Sequence, residues 1–426
     1  MPKPPASTKA SAKRPSLPTV TVSTRGATRL KSGHPWVYRS DLTASPEVAS
    51  GAAVQVLDPR GKPLGTALYS SSSQIAIRMI ASGREEVTDL PKLISDRVRA
   101  ALAYRKKYVE NTDAYRLVFS EADFLPGLII DRYNGVVSLQ ILTQAMDAES
   151  ARGAIIETLV EELKPEGIIE RVDPRIRDLE QLPPRASGLL WGKKTSTVIT
   201  MNTSQTNTDQ TNKDQTNKDQ TNGVRFHYDA LEGQKTGAFL DQRENYAAAA
   251  RYAQGDALDV FCYQGGFALH LAAQCKSVTG VDSSRPALEM ADQNASLNNH
   301  EIEWIEANAF DLLRDYATAG KKYDIVVLDP PAFAKTRRDL DKALSGYKEL
   351  NLRALKMLQP GGILVTCSCS FHVSQPDFQQ TVAAASQDAH RVLRLLENRG
   401  AAKDHPSIPS IPETSYLKCL VFNVSK

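Results

Sequence analysis

Residues 366–370 read Thr-Cys-Ser-Cys-Ser, which sets two thiols, Cys367 and Cys369, two positions apart. A deprotonated thiol is a nucleophile, and the period of a regular strand puts both cysteines on one face, with Cys369 nearer the carboxyl end. Two small buried residues are the structural alternative, which suits Cys367 better than Cys369. Cys-x-Cys with His372 lacks a second ligand pair, so no metal site is expected. Upstream, Asp329-Pro330-Pro331-Ala332-Phe333 follows an apolar run. Two prolines fix the backbone and remove donors, leaving carbonyls to line a cleft. Asp329 can grip a heteroaromatic amine or ring nitrogen, and Phe333 can stack on the base; a rigid strand exit is the plainer alternative. A third stretch, Asp259-Val-Phe-Cys-Tyr-Gln-Gly265-Gly266-Phe267, carries a glycine turn that lets backbone approach a ligand, without the GxGxxG spacing of a dinucleotide fingerprint. Asp282 closes VTGVD seventeen residues beyond Gly265. An acid there can accept both hydroxyls of a ribose, or cap the next helix together with Ser283 and Ser284. Glycine turn and acid together favour a nucleoside-type ligand.

Each of these stretches has to stand at the end of a strand. After Gly223, apolar strands alternate with helices: ALDVFCY, a helix from Phe267, KSVTGVD, a helix over Pro286–Leu297, WIEANAF, YDIVVLDPP, a helix over Tyr347–Leu358, and GGILVTCSC. That alternation predicts an α/β fold, a doubly wound, mainly parallel Rossmann-like sheet over 224–426, with ligands beyond the carboxyl ends of its strands. Residues 19–84 read instead as short strands with turn signals, among them a hairpin around Pro-Arg-Gly, and predict a small β-barrel. Its stretch 25–39 holds Arg25, Arg29, Lys31 and Arg39 beside His34, Trp36 and Tyr38, with no acid before Asp41. Cations interleaved with aromatics can meet phosphates and stack on bases; a solvated face around a core Trp36 is an equal alternative. Residues 85–223 predict a central α/β domain: a helix over 85–110, three strands in RLVFSEADFLPGLIIDRYNGVVSLQIL, a helix over 147–164 and a strand at GIIERV. Inside it, QTNTD, QTNKD, QTNKD, QTN repeat from Gln205 between the strands TSTVITM and VRFHYDAL. This polar insert over 203–222 has nothing to bury and is expected to be disordered, as is the basic tail 1–18.

At 426 residues the chain is too long for one ordinary domain, and 41% hydrophobic with 24% charged residues is a soluble globular composition. A net charge of +3 is too small to argue for nucleic acid by itself, so any basic footprint must be local. No apolar run approaches the ~18 residues of a membrane span, and no signal-peptide core follows the first lysines. Five cysteines, none in a CxxC pair, fit free thiols in a reducing, cytoplasmic compartment.

Together these motifs resemble the class I S-adenosylmethionine-dependent methyltransferases, and more closely the RlmI-like family of large-subunit ribosomal RNA cytosine-5 methyltransferases. RLKSGHPWVYRSDL resembles that family's N-terminal PUA domain, an RNA-binding pseudo-barrel, and EADFLPGLIIDRYNG its central hairpin. GQKTGAFLDQREN resembles the lead-in to its catalytic domain. FCYQGGFALHLA, VDSSRPALEMADQN, LDPPAFAK, CSCS and the tail DHP (Asp404–Pro406) with YLKC follow in order, so the similarity runs from about Thr21 to the end.

The resemblance implies S-adenosylmethionine as cofactor, with Tyr263, Gly265 and Gly266 against it and Asp282 on its ribose. Asn308 stands where the family usually has an acid near the adenine, and its carbonyl can accept from the adenine amine. Gln242 and Arg243 of the DQR motif would line the cofactor pocket, with Asp241 alternatively the N-cap of the next helix. Asp329 and Pro330, with Pro331 and Phe333, would hold a flipped cytosine, and Arg29, Lys31 and Trp36 would meet RNA. Cys369 would be the nucleophile and Cys367 packing. The implied chemistry is thiolate addition at ring carbon 6, stabilised at nitrogen 3 by an acid such as Asp329, followed by methylation at carbon 5 and loss of its proton. The implied partners are large-subunit ribosomal RNA and a second copy of the chain, with no membrane. Two other functions remain open: methylation of a base nitrogen in guanine, which needs no thiol, and a non-catalytic RNA-binding assembly factor, against which the intact cofactor loop and Cys369 speak.

Overall fold

The structure is a computed structural model, and it describes residues 17–44, 47–83, 86–202, 223–231, 238–334 and 336–426. The tail through residue 16 and the repeat over 203–222 lie outside the described residues, as does all of GQKTG.

Near the N-terminus, five strands form one sheet in the order Thr19–Thr21, Ala53–Leu57, Pro63–Tyr69, Ile75–Ser82, Trp36–Tyr38. A bridge between Val22 and Leu42 draws its two edges together and curls it. Val20, Val22, Val37, Val54, Val56 and Ile77 fill the interior at alternate strand positions. The expectation of strands alone needs correction, because Thr24–Lys31 is a helix. Ser23 caps it by accepting from the Gly26 N–H at 3.1 Å, Ala27 and Leu30 pack inward, and Arg25 and Lys31 stay at the surface.

The middle of the chain forms a second five-stranded sheet, ordered Gly188–Gly192, Gly167–Glu170, Val136–Ile141, Leu128–Tyr133, Ala114–Phe119. The helices Leu90–Tyr108 and Glu149–Leu163 cover it, with Ile94, Val98, Ile155 and Leu159 buried against Leu117, Ile130, Leu139 and Ile168. The strands flanking the repeat, Ser196–Met201 and Val224–Asp229, pair antiparallel with Met201 opposite Val224.

The last part is a seven-stranded sheet. Its strands are β1 (Asp256–Val260), β2 (Ser277–Asp282), β3 (Glu303–Glu306), β4 (Tyr323–Leu328), β5 (Leu358–Ser368), β6 (Val392–Arg399) and β7 (Lys418–Ser425). The order is β3-β2-β1-β4-β5-β7-β6, parallel except for β7, which runs antiparallel to β5 and β6. The helices are α1 (Arg243–Ala250), α2 (Gly266–Ala272), α3 (Arg285–Leu297), α4 (Ala309–Thr318), α5 (Leu340–Met357) and α6 (Gln375–Asp388). The strand order reverses between β1 and β4, so a crevice opens beyond their carboxyl ends. Helix α5 begins seven residues before the expected Tyr347, because a Thr336–Asp339 capping box starts the turn and Ala343 already joins the buried face of Tyr347, Leu350 and Ala354. Two strands end early: β1 stops at Val260 rather than running to Tyr263, and β5 stops at Ser368, so Cys369 leaves the sheet that holds Cys367.

One buried carboxylate ties these parts together. Asp404 accepts from the Arg116 backbone N–H at 2.8 Å and pairs with Arg243 at 3.3 Å, while its carbonyl accepts from Arg105 at 2.8 Å. Burial pushes its carboxyl up, but the pull of His405, Arg243 and the Arg116 N–H outweighs this and holds it well below the usual carboxylate range. Its contribution is therefore complete above about pH 3.9 and is lost only as pH falls through the lowered value. Asp404→Asn leaves Arg243 buried without its main partner and should cost about 3–5 kcal/mol, read by chemical denaturation at pH 7. The variant should also show a flatter acid limb, and an unchanged midpoint would remove Asp404 from this role.

Candidate cofactor and base site

The crevice is walled by the segments that follow β1, β2, β4 and β5. After β1 the chain turns through Phe261 and Tyr263 at φ of 67° and 50°, both left-handed, and Gly265 at 86°. Non-glycine residues sit there only when neighbours hold them. Here the N–H groups of Phe261 and Cys262 both donate to the Val281 carbonyl, and the Tyr263 N–H donates to Asp282 Oδ2 at 2.9 Å. Asp282 Oδ1 accepts from the Ser284 N–H at 2.9 Å. The capping alternative for Asp282 is thus met only in part: it makes a local turn, while the N-cap of α3 is Ser284. Each carboxylate oxygen keeps a further lone pair for a ribose hydroxyl. Gly266 is required for packing, since a Cβ there would lie 2.5 Å from the Tyr246 ring. Behind the loop, Asp259 is fully buried, its Oδ2 accepting from the Ala268 N–H at 2.8 Å, and burial pushes its carboxyl up to about 8. Burial thus favours the neutral form of Asp259.

Asn308 caps α4, its Oδ1 accepting from the N–H groups of Phe310 and Asp311. That use competes with accepting from an adenine amine. The next ring, Phe310, is exposed and stands 6.0 Å from Phe333, an apolar wall that the sequence reading missed. Phe333 itself packs on Tyr347 at 4.8 Å.

Gln242 and Arg243 are engaged with Asp329 and Asp404. Gln242 is buried and donates to Asp329 Oδ1 at 2.9 Å, while Asn245 donates to Gln242 Oε1 at 2.7 Å. Arg243 is committed to Asp404. Asp241 is no helix cap; it accepts from the Tyr416 hydroxyl at 2.5 Å. Pro330 is buried and its carbonyl faces the Cys369 thiol at 3.9 Å, while Pro331 is exposed. Cys369 is half-buried, whereas Cys367 is fully buried, opposite Cys419 on β7, and burial with that neighbour pushes its thiol far up. Of these two thiols, Cys369 is the one that is not fully buried.

The basic stretch near the N-terminus meets the C-terminal loop. Arg25, Arg29, His34 and Tyr38 line an open cleft of about 900 Å³ with Ser410 and Glu413. Arg29 lies over the Tyr38 ring at 4.6 Å, Lys31 pairs loosely with Asp58 at 3.6 Å, and His34 meets Glu413 at 3.2 Å. The Trp36 indole N–H donates to Glu121 at 3.0 Å, so this ring fastens the N-terminal sheet to the central one. Among the described residues no group of three or more His, Cys, Asp or Glu could hold a metal ion, and no helix is long and apolar enough to cross a membrane.

The seven-stranded sheet, with a glycine turn after β1 and an acid at the end of β2, defines a class, and comparison with known proteins agrees. Residues 20–82 match the PUA-like domain, and residues 141–423 match the S-adenosylmethionine-dependent methyltransferases, whose cofactor is thus the one this site takes. A structure from Streptococcus mutans described as a SAM-dependent methyltransferase superposes with a TM-score of 0.76 at 18% identity, covering 96% of this chain and all of that one, which shows the shared fold. A ribosomal RNA large subunit methyltransferase I from Shewanella frigidimarina is 36% identical over 93% of this chain and 96% of its own, and one from Tolumonas auensis is 37% identical over 91% and 94%. The chain belongs to the family of these ribosomal RNA large subunit methyltransferases I.

Asp282→Ala should raise the Kd for S-adenosylmethionine at least tenfold, since a charge-assisted hydrogen bond is worth about 1.5–3 kcal/mol. Calorimetry showing unchanged affinity would leave Asp282 with the loop alone.

Proposed function

We propose that this protein is a cytoplasmic enzyme that methylates carbon 5 of a cytosine in large-subunit ribosomal RNA through a covalent adduct at Cys369. The observation that carries the reading is the placement of that thiol: beyond the end of β5, half-buried, against the carbonyl of Pro330 in the Asp-Pro-Pro turn. The relatives' name, ribosomal RNA large subunit methyltransferase I, supports the RNA class.

Carbon 5 of cytosine is a poor nucleophile until electron density is pushed into the ring. In this reading the Cys369 thiolate adds to carbon 6 while the carboxylic acid form of Asp329, steadied by Gln242, passes its proton to nitrogen 3, where the displaced electron pair collects, and takes that proton back when the thiolate leaves. The buried Pro330 restricts the turn to one geometry. S-adenosylmethionine supplies the methyl group that carbon 5 takes. Loss of the carbon 5 proton then expels Cys369 as thiolate and restores the aromatic ring. Such a base must be unstacked, so the target is single-stranded or flipped out. Residues 19–84 would serve as the RNA-binding module, 85–223 as the domain that sets it against the catalytic part, and 224–426 as the methyltransferase.

Two measurements test this. Wild-type protein should form a denaturant-resistant adduct with RNA containing 5-fluorocytosine, Cys367→Ala should still form it, and Cys369→Ala should lose both adduct and methyl transfer while keeping cofactor affinity. Near-normal turnover in Cys369→Ala would hand the reading to a base-nitrogen methyltransferase. Separately, neutralising Arg29 and Lys31 should weaken RNA binding and lower the slope of log affinity against log salt by about 1–2, with saturating turnover less affected. An identical slope would free the patch from RNA contact.

A further inference from the structure

Lys418 opens β7 with its side chain turned inward, only 4% exposed. It stands opposite Ser368 in the β5–β7 register, so its ammonium lies at the strand end from which Cys369 departs. Nζ donates to the Ser370 carbonyl at 2.6 Å and to the Tyr416 carbonyl at 2.7 Å. Two carbonyl acceptors and no carboxylate make an unusual seat for a buried cation, because burying a charge without a counter-ion is costly. Among the described residues the one ionisable group that acts on Lys418 is Cys369. The turn carrying Cys369 is held still from the other side. The Tyr347 hydroxyl bridges the hydroxyls of Ser368 and Ser370 at 3.0 Å each, and Ser370 Oγ also accepts from the Ala334 N–H at 3.2 Å.

We infer that Lys418 is the positioning residue of the nucleophile: its ammonium, anchored on the carbonyls of Ser370 and Tyr416, is the counter-ion that keeps Cys369 a thiolate before RNA binds. The inference rests on the reading of Cys369 as nucleophile. The thiol proton passes to bulk water as the anion forms, and Lys418 keeps its own three protons. Burial lowers the Lys418 ammonium to about 8, with Cys369 pulling the other way, so it is still charged at pH 7. What an anion at Cys369 does for the ammonium, the ammonium does for the anion, since their interaction is one quantity. The Tyr347 and Tyr416 hydroxyls are neutral, pushed up by burial. Asp329 is held by Gln242, and Asp241 by Tyr416, whose hydroxyl lies in the field of Arg116.

The experiment follows the rate of alkylation of Cys369 by iodoacetamide against pH, read by mass spectrometry on the peptide that contains it, in full-length wild type, Lys418→Met and Lys418→Arg. In Lys418→Met the midpoint should rise by about one pH unit or more, and alkylation at pH 7 should slow about tenfold, one unit of pKa being tenfold in thiolate. Lys418→Arg should stay within a few-fold of wild type. Binding of S-adenosylmethionine by all three shows that they are folded. A Lys418→Met profile that superimposes on wild type overturns the inference, as does a wild-type midpoint at or above ~8.5, the ordinary thiol value, even if no variant folds. The 5-fluorocytosine adduct separates the two readings. A wild-type thiolate with a low midpoint that forms no adduct sinks the nucleophile and leaves the ion pair; an adduct with an unshifted Lys418→Met profile sinks Lys418 alone.

Discussion

The buried carboxylate of Asp404 is the contact on which the rest depends. It receives the Arg116 N–H from the central sheet and the Arg243 guanidinium from the start of α1, while its backbone carbonyl takes Arg105 from the helix Leu90–Tyr108. Arg105 is itself fully buried and also binds Asp123 and the Arg116 carbonyl. A charge cluster this dry holds one geometry only, because any displacement leaves a desolvated charge without a partner. That rigidity passes along the chain. Arg243 is fixed by Asp404, Gln242 precedes it, and Gln242 donates to Asp329 at 2.9 Å. The acid proposed to hold the cytosine is thus set, through two neighbouring residues, by a motif 75 positions further along the chain.

This hub was not legible in the sequence. Arg105, Arg116, Arg243 and Asp404 lie far apart, and an isolated arginine reads as a surface residue because most are. The same habit hid Lys418, which looks like the polar start of a strand. Legible, by contrast, were the strand ends after β1, β2, β4 and β5, because strands buried on both faces are near-continuous apolar runs and glycine, proline or acid marks where each stops. Asp282, Asp329 and Cys369 follow from position alone, and the structure brings all three to one edge of the sheet. The DQR motif was visible but its direction was not: a sequence places Gln242 and Arg243 at a helix start without showing that one faces Asp329 and the other Asp404. The helix Thr24–Lys31 was missed because eight residues with two buried positions carry too little periodicity to outweigh the strands on either side.

The two thiols show how a single residue of strand length decides chemistry. Had β5 continued, Cys369 would share the face and the burial of Cys367. The strand stops at Ser368, where Tyr347 takes up the serine hydroxyls, and the next residue turns towards Pro330. Cys367 stays under β7 against Cys419, where burial keeps its thiol protonated and unreactive. Identical side chains two positions apart therefore differ in access, which a thiol needs before it can act as a nucleophile.

The cofactor side is built on the same economy of fixed backbone. Left-handed conformations at Phe261 and Tyr263 cost about 1–3 kcal/mol each in isolation. They are offset by hydrogen bonds that close the loop onto β2, two to the Val281 carbonyl and one to Asp282. Asp282 would therefore combine two tasks: its carboxylate holds the Tyr263 N–H, and in the role expected of it the same carboxylate would also take a ribose. An asparagine there could keep one backbone bond but not the charge, and a serine would reach neither. The buried Asp259 behind the loop, whose neutral form burial favours, fits this arrangement, because a second carboxylate charged so close to Asp282 would repel it and loosen the turn that both acids support.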